Sequence, residues 1–98
     1  MTDISGSIRL AVDSGEVVLG VRSSVAAIRD NTAKLIIVAS QNKKGLVEDV
    51  EHIAKLADIK IVKFDGNSMD LGVVCGKQHS VSSLAVISPG NSKILEEV

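Results

Sequence analysis

An uninterrupted apolar run, Leu35-Ile-Ile-Val-Ala, most constrains what this chain can fold into. A strand with one wet face alternates apolar and polar side chains, whereas a strand that is apolar at every position has to be covered on both faces. Segments with helical periodicity lie before and after the run, and helices can cover a sheet from both sides. The chain is therefore predicted to be an α/β domain, organised as a three-layer α/β/α sandwich.

Helices and strands are predicted to alternate along the chain. Helices are indicated where apolar residues recur at helical spacing, in four stripes: Ile4, Ile8, Ala11 and Val12; Val21, Val25 and Ile28; Leu46, Val50, Ile53, Ala54 and Ala57; and Leu71, Val74 and Cys75. The second helix is expected to open near Ser23, and Asn67 or Ser68 to cap the fourth. Strands are predicted at 16–19, 35–39, 59–64 and 81–87, a turn at 65–68, and a final short helix within 92–98.

Composition limits the classes of function that this chain can have. Its 98 residues suffice for one core, so residues 1–98 are predicted to form a single domain. The formal net charge is −1, which argues against strong nonspecific attraction to nucleic acid or to an anionic membrane. Phe64 is the only aromatic residue, so a ring surface for stacking single-stranded bases is close to excluded. A role in RNA binding would need a local basic face and recognition of shape.

The chain carries no signal for secretion, membrane insertion or metal binding. Its single cysteine, Cys75, cannot form an intramolecular disulfide, and no Cys/His spacing suggests zinc. No apolar run approaches the roughly 18 residues of a membrane span, and no signal-peptide pattern is present. We expect a cytoplasmic protein without a cofactor, in which Cys75 is a packing thiol on the apolar side of a short helix.

The first candidate binding segment begins at Gly20, where a predicted strand turns into a helix. Such a turn exposes backbone N–H groups at the positive end of a helix dipole. Arg22 adds a planar charged fork suited to phosphate or to a guanine edge, and Ser23 and Ser24 add hydroxyl groups. The plainer alternative is that Gly20 only permits a tight turn and Ser23 only caps a helix. The spaced glycines of a dinucleotide-binding loop and the Gly-Lys-Ser/Thr ending of a Walker loop are absent.

The second candidate segment, Gly76-Lys-Gln-His-Ser, precedes the last predicted strand. No partner is evident that would activate His79 as a general base, so an exposed contact residue is the better interpretation. Lys43 and Lys44 extend a possible basic edge that also includes Arg22, Arg29 and Lys77, although a lysine pair is usually just solvated. No residue is assigned a catalytic or metal-binding role.

Taken in order, these segments resemble the L-thirty-e family of archaeal and eukaryotic large-subunit ribosomal proteins. The resemblance covers roughly residues 4–95, and the short length without added tails is similar to the archaeal members. It is carried by Val18-Leu-Gly-Val-Arg-Ser-Ser-Val, Ala33-Lys-Leu-Ile-Ile-Val-Ala, Asp49-Val-Glu, Asp70-Leu-Gly and Gly76-Lys-Gln-His-Ser-Val-Ser-Ser-Leu-Ala-Val.

The resemblance implies a four-stranded mixed sheet and a non-enzymatic role in the large ribosomal subunit. The implied partners are ribosomal RNA with a kink-turn-like bend and neighbouring ribosomal proteins, with a monomer when free. Three loops at one edge of the sandwich would form the binding surface. The residues carried over are Gly20, Val21, Arg22, Ser23 and Ser24 in the first loop, Gln41, Asn42 and Lys43 in the middle loop, and Lys77, His79, Ser80 and Val81 in the last.

The middle loop departs from the family pattern. The family usually carries an asparagine at the position of Gln41, often followed closely by proline, whereas here Asn42 comes one place later and lysines follow. Three alternatives remain open: a kink-turn-binding subunit of another ribonucleoprotein particle, as the resemblance also allows; a small enzyme or ligand-binding domain that holds a phosphate group at the Gly20 helix start; and a protein-interaction module. In the ribosomal interpretation the acidic residues of the third helix have to face away from the RNA.

Overall fold

A computed structural model of the chain describes residues 5–41 and 48–97, except the side chains of residues 41, 96 and 97. Helices and strands alternate through these residues, as predicted. The elements are α1 (Ser5–Ser14), β1 (Glu16–Leu19), α2 (Val21–Arg29), β2 (Leu35–Gln41), α3 (Glu48–Leu56), β3 (Lys60–Asn67), α4 (Ser68–Val74), β4 (Ser83–Ser88) and α5 (Ile94–Glu97).

The four strands form one mixed sheet in the order β1-β4-β2-β3. Strand β4 lies between β1 and β2 and is antiparallel to both. Strand β2 is parallel to β3 on its other side. The mixed four-stranded sheet implied by the family resemblance is therefore confirmed, with β1 and β3 as its two outer strands.

Two apolar cores lie on opposite faces of the sheet, and β2 contributes to both. Leu35, Ile37 and Ala39 pack into a core with α1, α4 and α5. Ile36 and Val38 point the other way, into a core with α2 and α3. None of the five side chains is more than 2% exposed, which confirms the expectation drawn from the apolar run.

The residue types that the sequence assigns to packing are buried as expected. Phe64 is 8% exposed in the first core, so the single Phe, Tyr or Trp ring of the chain presents almost no surface for stacking. Cys75 lies in the same core and is 2% exposed. Burial raises the pKa of its thiol, against a smaller opposing effect of Lys77 and Arg9. The thiol is therefore a packing group and not an activated nucleophile.

The predicted turn at residues 65–68 is wrong, because β3 continues to Asn67. Gly66 is buried within this strand, where its N–H donates to Ser40 Oγ (3.2 Å) and its carbonyl accepts from the same hydroxyl (3.3 Å). A Cβ at this position would lie 2.8 Å from Phe64 Cε2, so glycine serves a close approach and not a turn. Asn67 then caps α4 in a capping box with Asp70, as one of the two predicted caps.

Other element boundaries differ from the prediction at their ends. Helix α2 begins at Val21 and not near Ser23. Strand β4 begins at Ser83, since the N–H of Val81 donates to the carbonyl of Ser68 (2.9 Å) and not to a neighbouring strand. In α3 the buried residues are Val50 and Ala54, whereas Ala57 lies beyond the helix end and is exposed. Ile4 and Leu46, also assigned to stripes, lie outside the described residues.

Three helices end in the same hydrogen-bonded motif, with one residue at positive φ. In α4 the N–H of Gly76 donates to Val73 and that of Lys77 to Gly72, each at 2.9 Å, which is a Schellman motif. Gly76 has a φ of 77°. The equivalent positions after α2 and α3 carry side chains, Asn31 with φ 63° and Asp58 with φ 60°.

We predict that Asp58→Gly stabilises the protein by about 0.5–1 kcal/mol, because glycine adopts positive φ without a steric penalty. The steric strain removed from the folded state should exceed the free-energy cost of the greater conformational entropy that glycine gives the unfolded chain. Urea unfolding measures this change. Asp30→Gly is the matched control, since Asp30 ends α2 at φ −81° and gains nothing from glycine. An Asp58→Gly protein no more stable than the wild type would contradict the prediction.

Candidate nucleic-acid interface

Each predicted binding segment that the structure describes begins or ends at one edge of the sheet. Strands β1 and β2 end there and β4 begins there, because Leu19 pairs with Leu84 and Val38 with Ser83. Gln41 ends β2 at the same edge, with its backbone paired to Asn67 of β3. We call residues 20–24, 41 and 76–83 the loop edge. Its parts lie far apart in sequence and meet through the antiparallel placement of β4.

Gly20 is held in a conformation that only glycine adopts readily. Its φ is 101° and its ψ is 160°, and it forms the N-cap of α2 without a side-chain cap. Its N–H donates to the carbonyl of Ser83 at 2.7 Å. A Cβ at this position would have no heavy atom within 4 Å, so the backbone is open to an approaching ligand. The need for glycine comes from φ and not from crowding.

The first turn of α2 presents the exposed polar groups of the loop edge. Arg22 and Ser23 are both exposed, whereas Val21 is half-buried. Ser23 does not cap the helix, because α2 begins two residues earlier and Gly20 is its N-cap. The turn thus combines a helix N-terminus without a side-chain cap, a guanidinium and a hydroxyl, which suits an anionic and hydrogen-bonding ligand.

Two of the predicted contact residues, Ser24 and Val81, are buried. Ser24 is 0% exposed, and its hydroxyl donates to the carbonyl of Gly20 (2.7 Å) and lies 3.1 Å from Ser83 Oγ. Val81 is 2% exposed and packs in the core. The sequence assigned both to the surface, since it does not show which side of a loop faces the sheet. In this structure their side chains support neighbouring residues instead of offering surface.

The last loop runs back along α4 and exposes its polar side chains. Gly76 follows α4 at a φ of 77°, so the Schellman motif at the end of this helix accounts for the glycine. Farther along, the carbonyl of His79 lies so close to Gly72 that a Cβ on Gly72 would overlap it. Lys77, His79 and Ser80 are exposed, and His79 Nδ1 lies 3.1 Å from the carbonyl of Ser80. No carboxylate orients this imidazole among the described contacts.

The proposed basic edge is smaller than the sequence suggests. Arg29 is in the last turn of α2, about 10 Å along the helix from Arg22, so it lies away from the loop edge. Residues seven apart share a helix face but not a helix end, so Arg29 extends the basic side chains along α2 and not along the loop edge. Asn42, Lys43 and Lys44 lie outside the described residues. The described cations of the loop edge are Arg22 and Lys77.

A groove between α2 and α3 adjoins the loop edge and carries both signs of charge. Arg22 and Asp49 both line it, together with Arg29, Asp30 and His52. Asp49 is in the first turn of α3, so the acidic residues of this helix do not all face away from Arg22. Arg22 is therefore exposed in the first turn of α2, with a carboxylate of α3 lining the same groove.

The described residues include neither a cluster of metal-binding side chains nor a helix that could span a membrane. Within 5–41 and 48–97, no three His, Cys, Asp or Glu side chains cluster to hold a metal ion. No helix in these ranges is long and apolar enough to cross a membrane. What the loop edge offers is a set of separated donors on a rigid frame, which suits recognition by shape.

Sequence reasoning missed Ser83, the residue that joins the two described loops. It is 0% exposed, its carbonyl accepts from Gly20 N–H, and its hydroxyl meets that of Ser24. The only signal available in the sequence is a serine next to the apolar run Leu84-Ala-Val-Ile. A polar residue at a buried strand position needs a partner, and this one finds it 59 positions away in the chain.

We predict that Gly20→Ala lowers the free energy of unfolding by about 1–3 kcal/mol, because alanine at this φ is strained whatever the space around it. Gly6→Ala is the matched control, since Gly6 also has nothing within 4 Å of an added Cβ but sits in α1 at a helical position. That control should be neutral or stabilising by up to about 1 kcal/mol. Equal stability of Gly20→Ala and wild type in urea unfolding would contradict the role of φ.

Comparison with known proteins bears out the resemblance drawn from the sequence. Residues 2–96 match the model of the ribosomal protein L7Ae/L30e/S12e/Gadd45 family. The chain is 43% identical over 98 residues to the large ribosomal subunit protein eL30 of Methanobrevibacter smithii, covering 100% of this chain and 99% of that protein. It is 42% identical over 96 residues to the eL30 of Methanothermobacter thermautotrophicus, covering 98% of each.

A third archaeal relative, the large ribosomal subunit protein eL30 of Pyrobaculum islandicum, is 41% identical over 98 residues, which cover 100% of this chain and 97% of the relative. These three relatives are named as large ribosomal subunit proteins, in agreement with the predicted non-enzymatic role. With a family model that matches residues 2–96 and relatives aligned over nearly their full lengths, this chain belongs to the ribosomal protein L7Ae/L30e/S12e/Gadd45 family.

Proposed function

We propose that this chain is a structural constituent of the large ribosomal subunit that binds ribosomal RNA at a kink-turn-like motif through the loop edge. The relatives named as large-subunit proteins align with nearly the whole chain, which supports the ribosomal part. The observation that carries the RNA part is the convergence of Gly20, Gln41 and Ser83, the end of the last loop, on one edge of the sheet. The other partners would be neighbouring ribosomal proteins.

The first half of the interface is the start of α2. A phosphate or base edge would meet the backbone of Gly20 without a side chain in the way, next to the free N–H groups of a helix N-terminus. The guanidinium of Arg22 supplies a fork of donors, and Ser23 supplies a hydroxyl. Val21 is half-buried beside them and contributes apolar contact.

The second half is the last loop together with the end of β2. Lys77, His79 and Ser80 offer a cation, an imidazole and a hydroxyl from a segment held against α4. Gln41, with Asn42 and Lys43 after it, would complete the surface as the family resemblance implies. In this proposal Ser24 and Val81 act from beneath the surface and do not touch the RNA.

Recognition of shape is compatible with the near-neutral chain. A net charge of −1 supplies no general attraction to a polyanion, so affinity has to come from a few placed donors. A kinked RNA presents a bent backbone and exposed base edges, which a straight helix does not. Donors fixed on two sides of a rigid edge can therefore distinguish the kinked form from regular duplex.

The first experiment compares two RNAs at near-physiological salt: a generic kink-turn, and the same RNA with its tandem G·A pairs replaced. The proposal expects tight binding to the first and loss of that binding in the second. Equal binding to both would contradict recognition of the kink. Cofractionation with large subunits then separates the ribosome from another ribonucleoprotein particle built on the same interaction.

We predict that Arg22→Ala weakens kink-turn binding about tenfold, since a charge-assisted hydrogen bond to RNA is removed while no core residue changes. Fluorescence anisotropy titration at matched salt measures the affinity. Arg29→Ala is the matched control, because it removes the same charge from the far end of the same helix. Its affinity should stay near that of the wild type. An unchanged affinity of Arg22→Ala would remove Arg22 from the interface.

A further inference from the structure

Three hydrogen bonds close a ring among Gly20, Ser24 and Ser83. The N–H of Gly20 donates to the carbonyl of Ser83 at 2.7 Å. The Ser24 hydroxyl donates to the carbonyl of Gly20 at 2.7 Å, and Ser24 Oγ lies 3.1 Å from Ser83 Oγ. A hydroxyl has one hydrogen, and that of Ser24 is used on Gly20, so Ser83 is the donor in the third bond. The N–H of Gly20 is thereby tied to Ser83 directly, and its carbonyl is tied to Ser83 through the Ser24 hydroxyl.

Burial makes this ring a fixed connection. Ser24 and Ser83 are each 0% exposed, so water does not compete for their hydroxyls. A buried hydroxyl that loses its partner costs the full desolvation of the group, which favours the one arrangement in which both are satisfied. The start of α2 therefore has a defined position relative to the start of β4.

Ser83 also sits where the other parts of the loop edge meet. It follows directly on the 76–82 segment that carries Lys77 and His79. The carbonyl of the preceding Ser82 accepts from the N–H of Ala39 at 3.0 Å, which holds the end of β2. One dipeptide, Ser82-Ser83, thus binds the ends of β1 and β2 and the beginning of β4 together.

We infer that the Ser24–Ser83 hydroxyl pair positions the loop edge for RNA, by fixing the distance between the donors of the first turn of α2 and those of the last loop. The pair touches no ligand and acts through Gly20 and the segment before Ser83. This inference rests on the proposed function, because its measurable consequence is RNA affinity.

The test uses Ser83→Ala and Ser24→Ala in the full chain, with affinity for the kink-turn RNA as the readout. Each variant should bind about three- to tenfold more weakly than wild type, because each breaks the hydroxyl–hydroxyl bond that fixes the site. The double variant should lose no more than about the larger single loss, because the two hydroxyls act as one unit.

Ser92→Ala is the matched control for a general loss of stability. Ser92 is 8% exposed, and its hydroxyl donates to the carbonyl of Ser7 at 2.7 Å. It follows the end of β4 in the chain, so it lies beyond the end of the sheet opposite to the loop edge. It should lower stability to a similar extent and leave RNA affinity unchanged. A loss of affinity in Ser92→Ala equal to that in Ser83→Ala would overturn the positioning role.

Amide hydrogen exchange gives a second readout that needs no RNA. In Ser83→Ala the N–H of Gly20 should exchange about tenfold faster, while that of Ile36, in the centre of the sheet, should change only with global stability. Unchanged exchange at Gly20 would overturn the inference even for a variant that binds RNA weakly.

The outcomes separate the two proposals. If wild type binds the kink-turn specifically and both serine variants bind equally well, the positioning role is overturned and the proposed function stands. If wild type binds both RNAs alike, the proposed function fails and the contribution of the pair to RNA affinity fails with it. Exchange at Gly20 then reports on its own whether the pair holds this edge.

Discussion

The whole structure depends on the burial of the two central strands, β2 and β4, on both faces. The backbone of a central strand is hydrogen-bonded to its neighbours and covered on both faces, so water reaches it only near the strand ends. Polar recognition is therefore confined to the edges where loops leave the sheet. The two cores are filled almost entirely by Val, Ile, Leu and Ala side chains, with Phe64 as the single ring. Two helical layers follow from the same requirement, since each face of the sheet has to be closed.

The direction of β4 brings together the loops of the candidate site. Because β4 is antiparallel to β1 and β2, its first residues meet the last residues of both. Gly20, Gln41 and Ser83 therefore share one edge, although more than fifty positions separate the first from the last. A parallel β4 would have carried its preceding loop to the opposite edge.

The positions of the charged residues on α2 and α3 limit which part of the surface suits an anionic ligand. Arg22 and Arg29 look equivalent in sequence, yet only Arg22 lies at the end of α2 that starts from the sheet edge. Asp49 and Asp30 line the same groove as Arg22 and Arg29, so carboxylates lie beside both guanidinium groups. A surface with so few uncompensated cations has to select a ligand by geometry, which agrees with the near-neutral charge of the chain.

The sequence by itself determined the order of helices and strands, the doubly covered strand at Leu35, a helix cap at Asn67 or Ser68, and the family resemblance. These signals are local: apolar spacing and caps act within a few residues, so a single segment contains them. Only the tertiary structure decided that Gly66 continues a strand, that Ser24 and Val81 face inward, and that Ser83 joins the loops. Exposure and hydrogen-bond partners at the ends of strands depend on residues brought in from distant parts of the chain, and no local pattern contains that information.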